Sequence, residues 1–268
     1  MFAEATRACV KVGFRPARQD GVDDLEPVLT PVAVARRHRQ APPAPHPHVK
    51  MVTSMNDTPC ATYRAKTNYT EDKARGYANR EARRNVPELK LVESAFELIP
   101  RPASVLDVPC GGGRVTVLLS QLGYEMSAAD YSEPMRDITR ETTAATGLNV
   151  PVFKEDIENL SQADRSFDAI VCFRFFHHLP SEELRRKVVG ELCRVARKHV
   201  VMSYFNPRTL RALEQKLRRW RGKKLSVFNT PLAEVTDYFA ANGFRLVKNF
   251  RLDLTNNLHL AVFERVLA

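Results

Sequence analysis

"ASVLDVPCGGGRVTVLLS", Ala103 to Ser120, runs an apolar segment into an aspartate, a proline, a cysteine and three glycines before resuming with helix-like spacing. A short apolar run closed by glycines reads as a buried strand, and the pattern after it reads as a helix from Arg114 to Leu122. Glycine at such a turn lets the backbone approach a ligand and adopt angles that a side chain forbids. The free amides of the helix that follows point at the same place with partial positive charge. In an open parallel sheet, ligands bind beyond the carboxyl ends of the strands, where the strand order reverses. These features suit a dinucleotide, a nucleotide or a nucleoside alike. "CGGGRVTVLLS" has neither G-x-G-x-x-G nor the phosphate-cradling G-x-x-x-x-G-K-[ST].

Outward from this stretch, strands and helices alternate. Further strands are expected at Tyr124–Ala129, Val150–Lys154, in "SFDAIVCFRF", in "KHVVMSYF", and in the closing pair "FRLVKNFRL" and "NLHLAVFERV". Helices are expected after Pro87, after a Ser132 cap, in "SEELRRKVVGELCRVAR" behind Ser181, and from Pro231 to Ala241, stopped by Asn242-Gly243. This alternation predicts a parallel sheet with helices on both faces. Only "TNN" separates the last two strands, so one strand must run against the rest.

Residues Tyr69 to Ala268 resemble the class I S-adenosylmethionine-dependent methyltransferases. The first motif of that family, an acidic residue before a glycine-rich turn, is matched by Asp107, Cys110, Gly111 and Gly113, followed by Arg114. Pro109 stands where the family more often has glycine, which removes an amide donor near the cofactor's methionine end. "AADYSEPM" places Asp130, with Tyr131 beside it, where the family's acidic residue binds the ribose hydroxyls. "FKEDIENL" places Asp156 and Ile157 at the adenine. "FDAIVCFRFFHHLP", with Phe173, resembles the fourth-strand motif beside the transferred methyl group, and Tyr77 resembles the aromatic of the lid helix. The resemblance implies a Rossmann-like sheet of seven mostly parallel strands with one antiparallel, S-adenosylmethionine as cofactor, and no metal. Simpler roles remain open: Asp130 and Asp156 as helix caps, Cys110 and Cys172 as small buried apolar residues, Tyr77 as surface packing.

His177 and His178 lie just past the fourth strand, where an acceptor's proton would leave, and histidine titrates near neutral pH. One of them could equally be packing. Arg174 and Tyr204, at strand ends on the same edge, are further substrate-side candidates. "RTLRALEQKLRRWRGKK", residues 208–224, is a basic helix beyond the family's common core, with Leu210, Leu213, Leu217 and Trp220 at helical spacing. The expectation is that its apolar stripe roofs the pocket mouth while its basic side faces solvent, an anionic membrane surface or RNA.

The 268 residues are 44% hydrophobic and carry a formal charge of +10, which attracts anionic partners but is silent about fold. Five scattered cysteines without C-x-x-C spacing argue against a zinc site or disulfide framework and suit a reducing, cytoplasmic setting, with peripheral membrane association allowed. No apolar run is long enough to span a bilayer. Residues 1–55, rich in proline, arginine and histidine, read as a flexible leader before a domain at 56–268. The function expected is methyl transfer to a small-molecule or lipid-like acceptor, with O-methylation favoured. The alternatives are an RNA methyltransferase using the basic helix, and a cofactor-binding regulatory module without turnover. Oligomeric state is left open.

Overall fold

The computed structural model describes residue 76 and residues 85–222 and 226–266. The leader and Tyr77 lie outside the described residues. Thirteen principal elements follow in order: α1 (Asn85–Phe96), β1 (Ser104–Asp107), α2 (Arg114–Gln121), β2 (Glu125–Asp130), α3 (Glu133–Ala145), β3 (Val152–Lys154), β4 (Phe167–Cys172), α4 (Glu182–Val195), β5 (Ala196–Phe205), α5 (Leu210–Trp220), α6 (Leu232–Ala240), β6 (Phe244–Arg251) and β7 (Leu258–Arg265). A 3-10 turn at Phe176–His178 follows β4.

The strands form one sheet in the order β3-β2-β1-β4-β5-β7-β6. β1 pairs in parallel with both β2 and β4, and β4 with β5. β7 runs antiparallel to both β5 and β6, so among the described strands it alone opposes the common direction. The chain therefore moves outward through β2 and β3, then crosses back to β4. That reversal between β1 and β4 puts the crevice at their carboxyl ends.

Side-chain alternation explains the near-continuous apolar strands. Leu106, Ile170, Cys172, Val200, Met202 and Tyr204 point into one core layer, shared with Val188 and Leu192 of α4 and Phe239 of α6. Val105, Ala169, Val171 and Val201 point into the other, shared with Val92 and Phe96 of α1 and Leu119 of α2. A central strand covered on both faces has no solvent side to make polar.

Side-chain caps begin two of the helices. Ser181 Oγ accepts from the Leu184 amide at 3.3 Å, and Thr209 Oγ1 accepts from the Ala212 amide at 3.2 Å. Ser132 occupies the cap position of α3, but its hydroxyl makes no cap bond. The Asp130 carboxylate accepts from Ser132's own amide at 2.9 Å, just ahead of the helix.

Candidate active site

Asp107, the last residue of β1, is buried and accepts a hydrogen bond from Thr116 Oγ1 at 2.7 Å. Burial pushes its carboxyl up to about 7 against the lowering effect of Thr116, with Asp130 adding to the rise. The turn after it is held by two anchors. The Cys110 amide donates to the Ala129 carbonyl at 2.8 Å, and Thr139 Oγ1 donates to the Gly111 carbonyl at 2.8 Å. Gly111 and Gly113 both take left-handed angles, φ 56° and 77°. A Cβ on Gly113 would lie 3.0 Å from Thr139 Cγ2, whereas one on Gly111 would meet nothing within 4 Å. Gly113 is thus needed for close helix packing, and Gly111 borders open space.

Asp130 ends β2 directly beside that space. Its Oδ2 accepts from the Gly111 amide at 3.1 Å, so the carboxylate ties the second strand to the glycine turn. Burial raises its carboxyl to about 6, opposed by the Ser132 and Gly111 amides and by Arg136. A carboxylate offers about four acceptor positions. The Ser132 and Gly111 amides take two of them, and capacity remaining on the carboxylate suits a sugar hydroxyl. Open space over Gly111 and spare acceptor capacity at Asp130 together fit the sugar of a nucleoside cofactor.

The other expected residues fall around this centre with differing roles. Cys110 is buried with Sγ 3.4 Å from Thr139 Oγ1, and burial drives its thiol well up, so it is an inert wall. Arg114, at the first position of α2, lies over the Phe173 ring at 5.2 Å. Tyr131 is exposed, with Lys154 Nζ 5.8 Å from its ring centre. Asp156 Oδ1 accepts from the Glu158 amide at 3.1 Å, and Ile157 is buried beside it.

His177 is buried, and its ring stacks on Phe205 at 3.7 Å. Burial, then His178 and Arg174, hold its pKa well below the ordinary value. Its ring packs into the core at the end of β4. His178 is half-buried, with Nδ1 3.4 Å from the Ser226 carbonyl. Tyr204 is fully buried and donates to Asn249 Oδ1 at 3.2 Å, so it belongs to the core and not to the substrate side. It shares the face of Val200 and Met202 on β5, a parity legible in the period-2 pattern.

A second correction concerns α5. Its leucines do not roof the pocket. Leu210, Leu213, Leu217 and Trp220 are exposed, and the helix docks through Ala212, Gln215 and Arg219.

Glu88 of α1 is a member of the site that the sequence did not disclose. Its two oxygens hold Arg174 Nη1 at 2.5 Å and Arg114 Nη2 at 2.8 Å, joining α1 to the ends of β4 and the glycine turn. Arg174 takes φ 58°, an uncommon angle for a side-chain-bearing residue, and its amide donates to Ser203 Oγ at 2.5 Å. An acid in a first helical turn is ordinarily a dipole-stabilising residue, so sequence gave no cue to this bridge. A cleft of about 440 Å³ also opens at the amino edge of the sheet, lined by Ser104, Tyr124, Met126 and Phe167. It lies at the opposite ends of the strands from Asp107 and Asp130. Among the described residues, no cluster of histidine, cysteine and acidic side chains is placed to hold a metal.

Residues 105–199 match the model of the methyltransferase domain family. That match marks a methyltransferase domain within this stretch of the sheet. A ubiquinone biosynthesis O-methyltransferase of Coxiella burnetii is 31% identical over 99 residues, which is 37% of this chain and 42% of that protein. The chain thus matches less than half the length of that curated relative. Among solved structures, magnesium protoporphyrin IX methyltransferase from Synechocystis PCC 6803, with bound SAH, superposes with a TM-score of 0.58 at 19% identity, covering 68% of this chain and 84% of that one. A protein of Pyrococcus horikoshii OT3 superposes at 0.56 and 21% identity, covering 74% and 95%. At these identities the superpositions show the methyltransferase domain's fold: a Rossmann-like sheet with β7 reversed.

Proposed function

We propose that this methyltransferase domain transfers a methyl group from S-adenosylmethionine to an oxygen of a small or lipid-like acceptor. The carrying observation is the Asp130 carboxylate, fastened to the Gly111 amide at 3.1 Å and bordering the open space over that glycine. Asp130 would hold the cofactor's ribose, Ile157 and Asp156 would flank its adenine, and Cys110 and Phe173 would wall the methionine end. The bound cofactor supplies a methyl group on a sulfonium, which makes transfer a matter of position and dryness. The buried rings of Phe173, Phe176 and His177 exclude water from the end of β4. His178, half-buried on the same edge, would take the hydroxyl proton of the acceptor. Oxygen as the accepting atom is supported by the names of the curated relatives, which are O-methyltransferases.

Titration calorimetry with S-adenosylhomocysteine tests the cofactor assignment. Asp130→Ala should weaken binding by about tenfold or more, since a hydrogen bond to a charged group contributes about 1.5–3 kcal/mol. Unchanged affinity refutes the ribose contact. Incubation of a cell extract with methyl-labelled cofactor tests the acceptor: label should enter the organic-soluble fraction, and label confined to RNA would overturn the acceptor class.

A further inference from the structure

α5 is amphipathic the wrong way round for a helix that merely covers a domain. Eleven residues advance at about 100° each, so Leu210, Leu213, Leu217 and Trp220 share an arc of about 80°. These side chains are 65%, 63%, 43% and 82% exposed. The opposite arc meets the protein and is mostly polar. Ala212 is buried there, and Gln215 Oε1 accepts from Asn229 Nδ2 at 3.0 Å and Asn257 Nδ2 at 3.4 Å. Arg219 donates to the Val227 carbonyl from the same side. Hydrogen bonds therefore hold the helix in this orientation, and the Thr209 cap fixes its start. The patch continues into the β6–β7 loop: the Arg211 amide donates to the Thr255 carbonyl at 3.1 Å, and the adjacent Leu254 is 72% exposed.

Cations line both flanks of this stripe. Arg211, Arg218 and Arg221 lie to one side and Lys216 to the other, all exposed. The helix's single acid, Glu214, is 3.5 Å from Arg218. We propose that α5 is an interfacial docking helix that lays its leucine–tryptophan face into an anionic lipid surface. Apolar side chains would enter the acyl boundary while the flanking cations meet headgroup phosphates. A helix of about 16 Å is too short to span the hydrocarbon layer but suits its surface. Tryptophan at the end of the stripe is apt for that boundary, being apolar in body with one polar N–H. Charge separates this occupant from two others. A second copy of the chain would bring two sets of like cations together around the stripe. RNA would satisfy the arginines yet leave four large apolar side chains in water.

α5 leaves the carboxyl end of β5, the edge of the sheet that also carries Asp107 and Asp130. Docking by this face would set that edge close to the lipid. The proposal concerns a surface and stands whether or not the domain methylates a lipid.

Trp220 is the one tryptophan of the sequence, so intrinsic emission reports on this face alone. The full chain is titrated with phosphatidylcholine vesicles with and without phosphatidylglycerol. Emission should shift to the blue with the mixed vesicles, the protein should sediment with them, and both effects should weaken with salt. Leu210→Gln/Leu213→Gln/Leu217→Gln retains helix-forming residues and the reporter, and should lower vesicle affinity by about tenfold or more. Arg211→Glu/Arg218→Glu/Arg221→Glu should do the same. Unshifted emission with no sedimentation overturns the proposal. So does a concentration-dependent blue shift without lipid, with a doubled mass in light scattering, and so does retention on RNA without vesicle binding.

Discussion

Gly111 and Gly113 adopt the same left-handed backbone two residues apart, yet they should fail differently when replaced. At Gly113, alanine adds strain at φ 77° and drives a methyl against Thr139, whose Cα is 3.2 Å from the added Cβ. Gly113→Ala should destabilise the fold by about 1–3 kcal/mol, seen as a lower denaturant midpoint. At Gly111 the added methyl meets no protein atom. Gly111→Ala should cost only about 1–2 kcal/mol of backbone strain while filling the proposed cofactor space, so titration calorimetry should show the larger loss in affinity. Equal loss of affinity with unaltered stability in both variants would contradict this division. Glu88 should behave as a strut. Removing it leaves two partly buried guanidiniums facing each other, and Glu88→Ala should lose about 3 kcal/mol. A double-mutant cycle with Arg174→Ala should show coupling of about 0.5–3 kcal/mol, and additive effects would remove the strut. Sequence exposed the glycines because few residues tolerate such angles. It hid Glu88 and Thr139 because their partners are fixed by how α1 and α3 lie on the sheet.

At the scale of elements, period and punctuation carried most of the fold. β4 and β5 are bounded by polar or turn residues and filled with apolar ones, and "TNN" left the closing pair only an antiparallel solution. The orientation of α5 was not legible. A 3.6-residue period identifies an apolar arc, but whether that arc faces inward depends on Asn229 and Asn257, which come from other segments. The Ser132 hydroxyl makes no cap bond, and Pro134, two residues on, has no amide to offer it. Thr209 does accept the Ala212 amide. Thr209→Ala should therefore cost about 1 kcal/mol, measured as faster amide exchange through α5, and unchanged protection would show that the cap contributes nothing.

Across the whole molecule, the two buried carboxylates would couple folding to the proposed cofactor binding through pH. Asp107 and Asp130 have pKa values raised from 3.8 to about 7 and about 6, chiefly by burial. A carboxyl whose folded pKa lies above its unfolded one binds its proton more tightly in the native state. The contribution of these groups to stability is therefore fully present below about pH 4 and is lost as pH rises through about 6 to 7. In the proposed cofactor site, binding works in the opposite sense, because only ionised Asp130 would offer all its lone pairs to the ribose hydroxyls. The apo protein should thus lose stability from pH 5 to 8 relative to Asp107→Asn/Asp130→Asn, while affinity for S-adenosylhomocysteine rises and levels off above about pH 7. With ligand at about one hundred times its dissociation constant, stabilisation is about 2.7 kcal/mol, or about 5–10 °C in Tm for a domain of this size. At a fixed ligand concentration chosen this way at pH 8, the ligand-induced rise should shrink at pH 5.5 in the parent protein and stay flat in Asp130→Asn. A rise that is independent of pH in the parent, or one that grows toward acid, would detach Asp130 from the sugar.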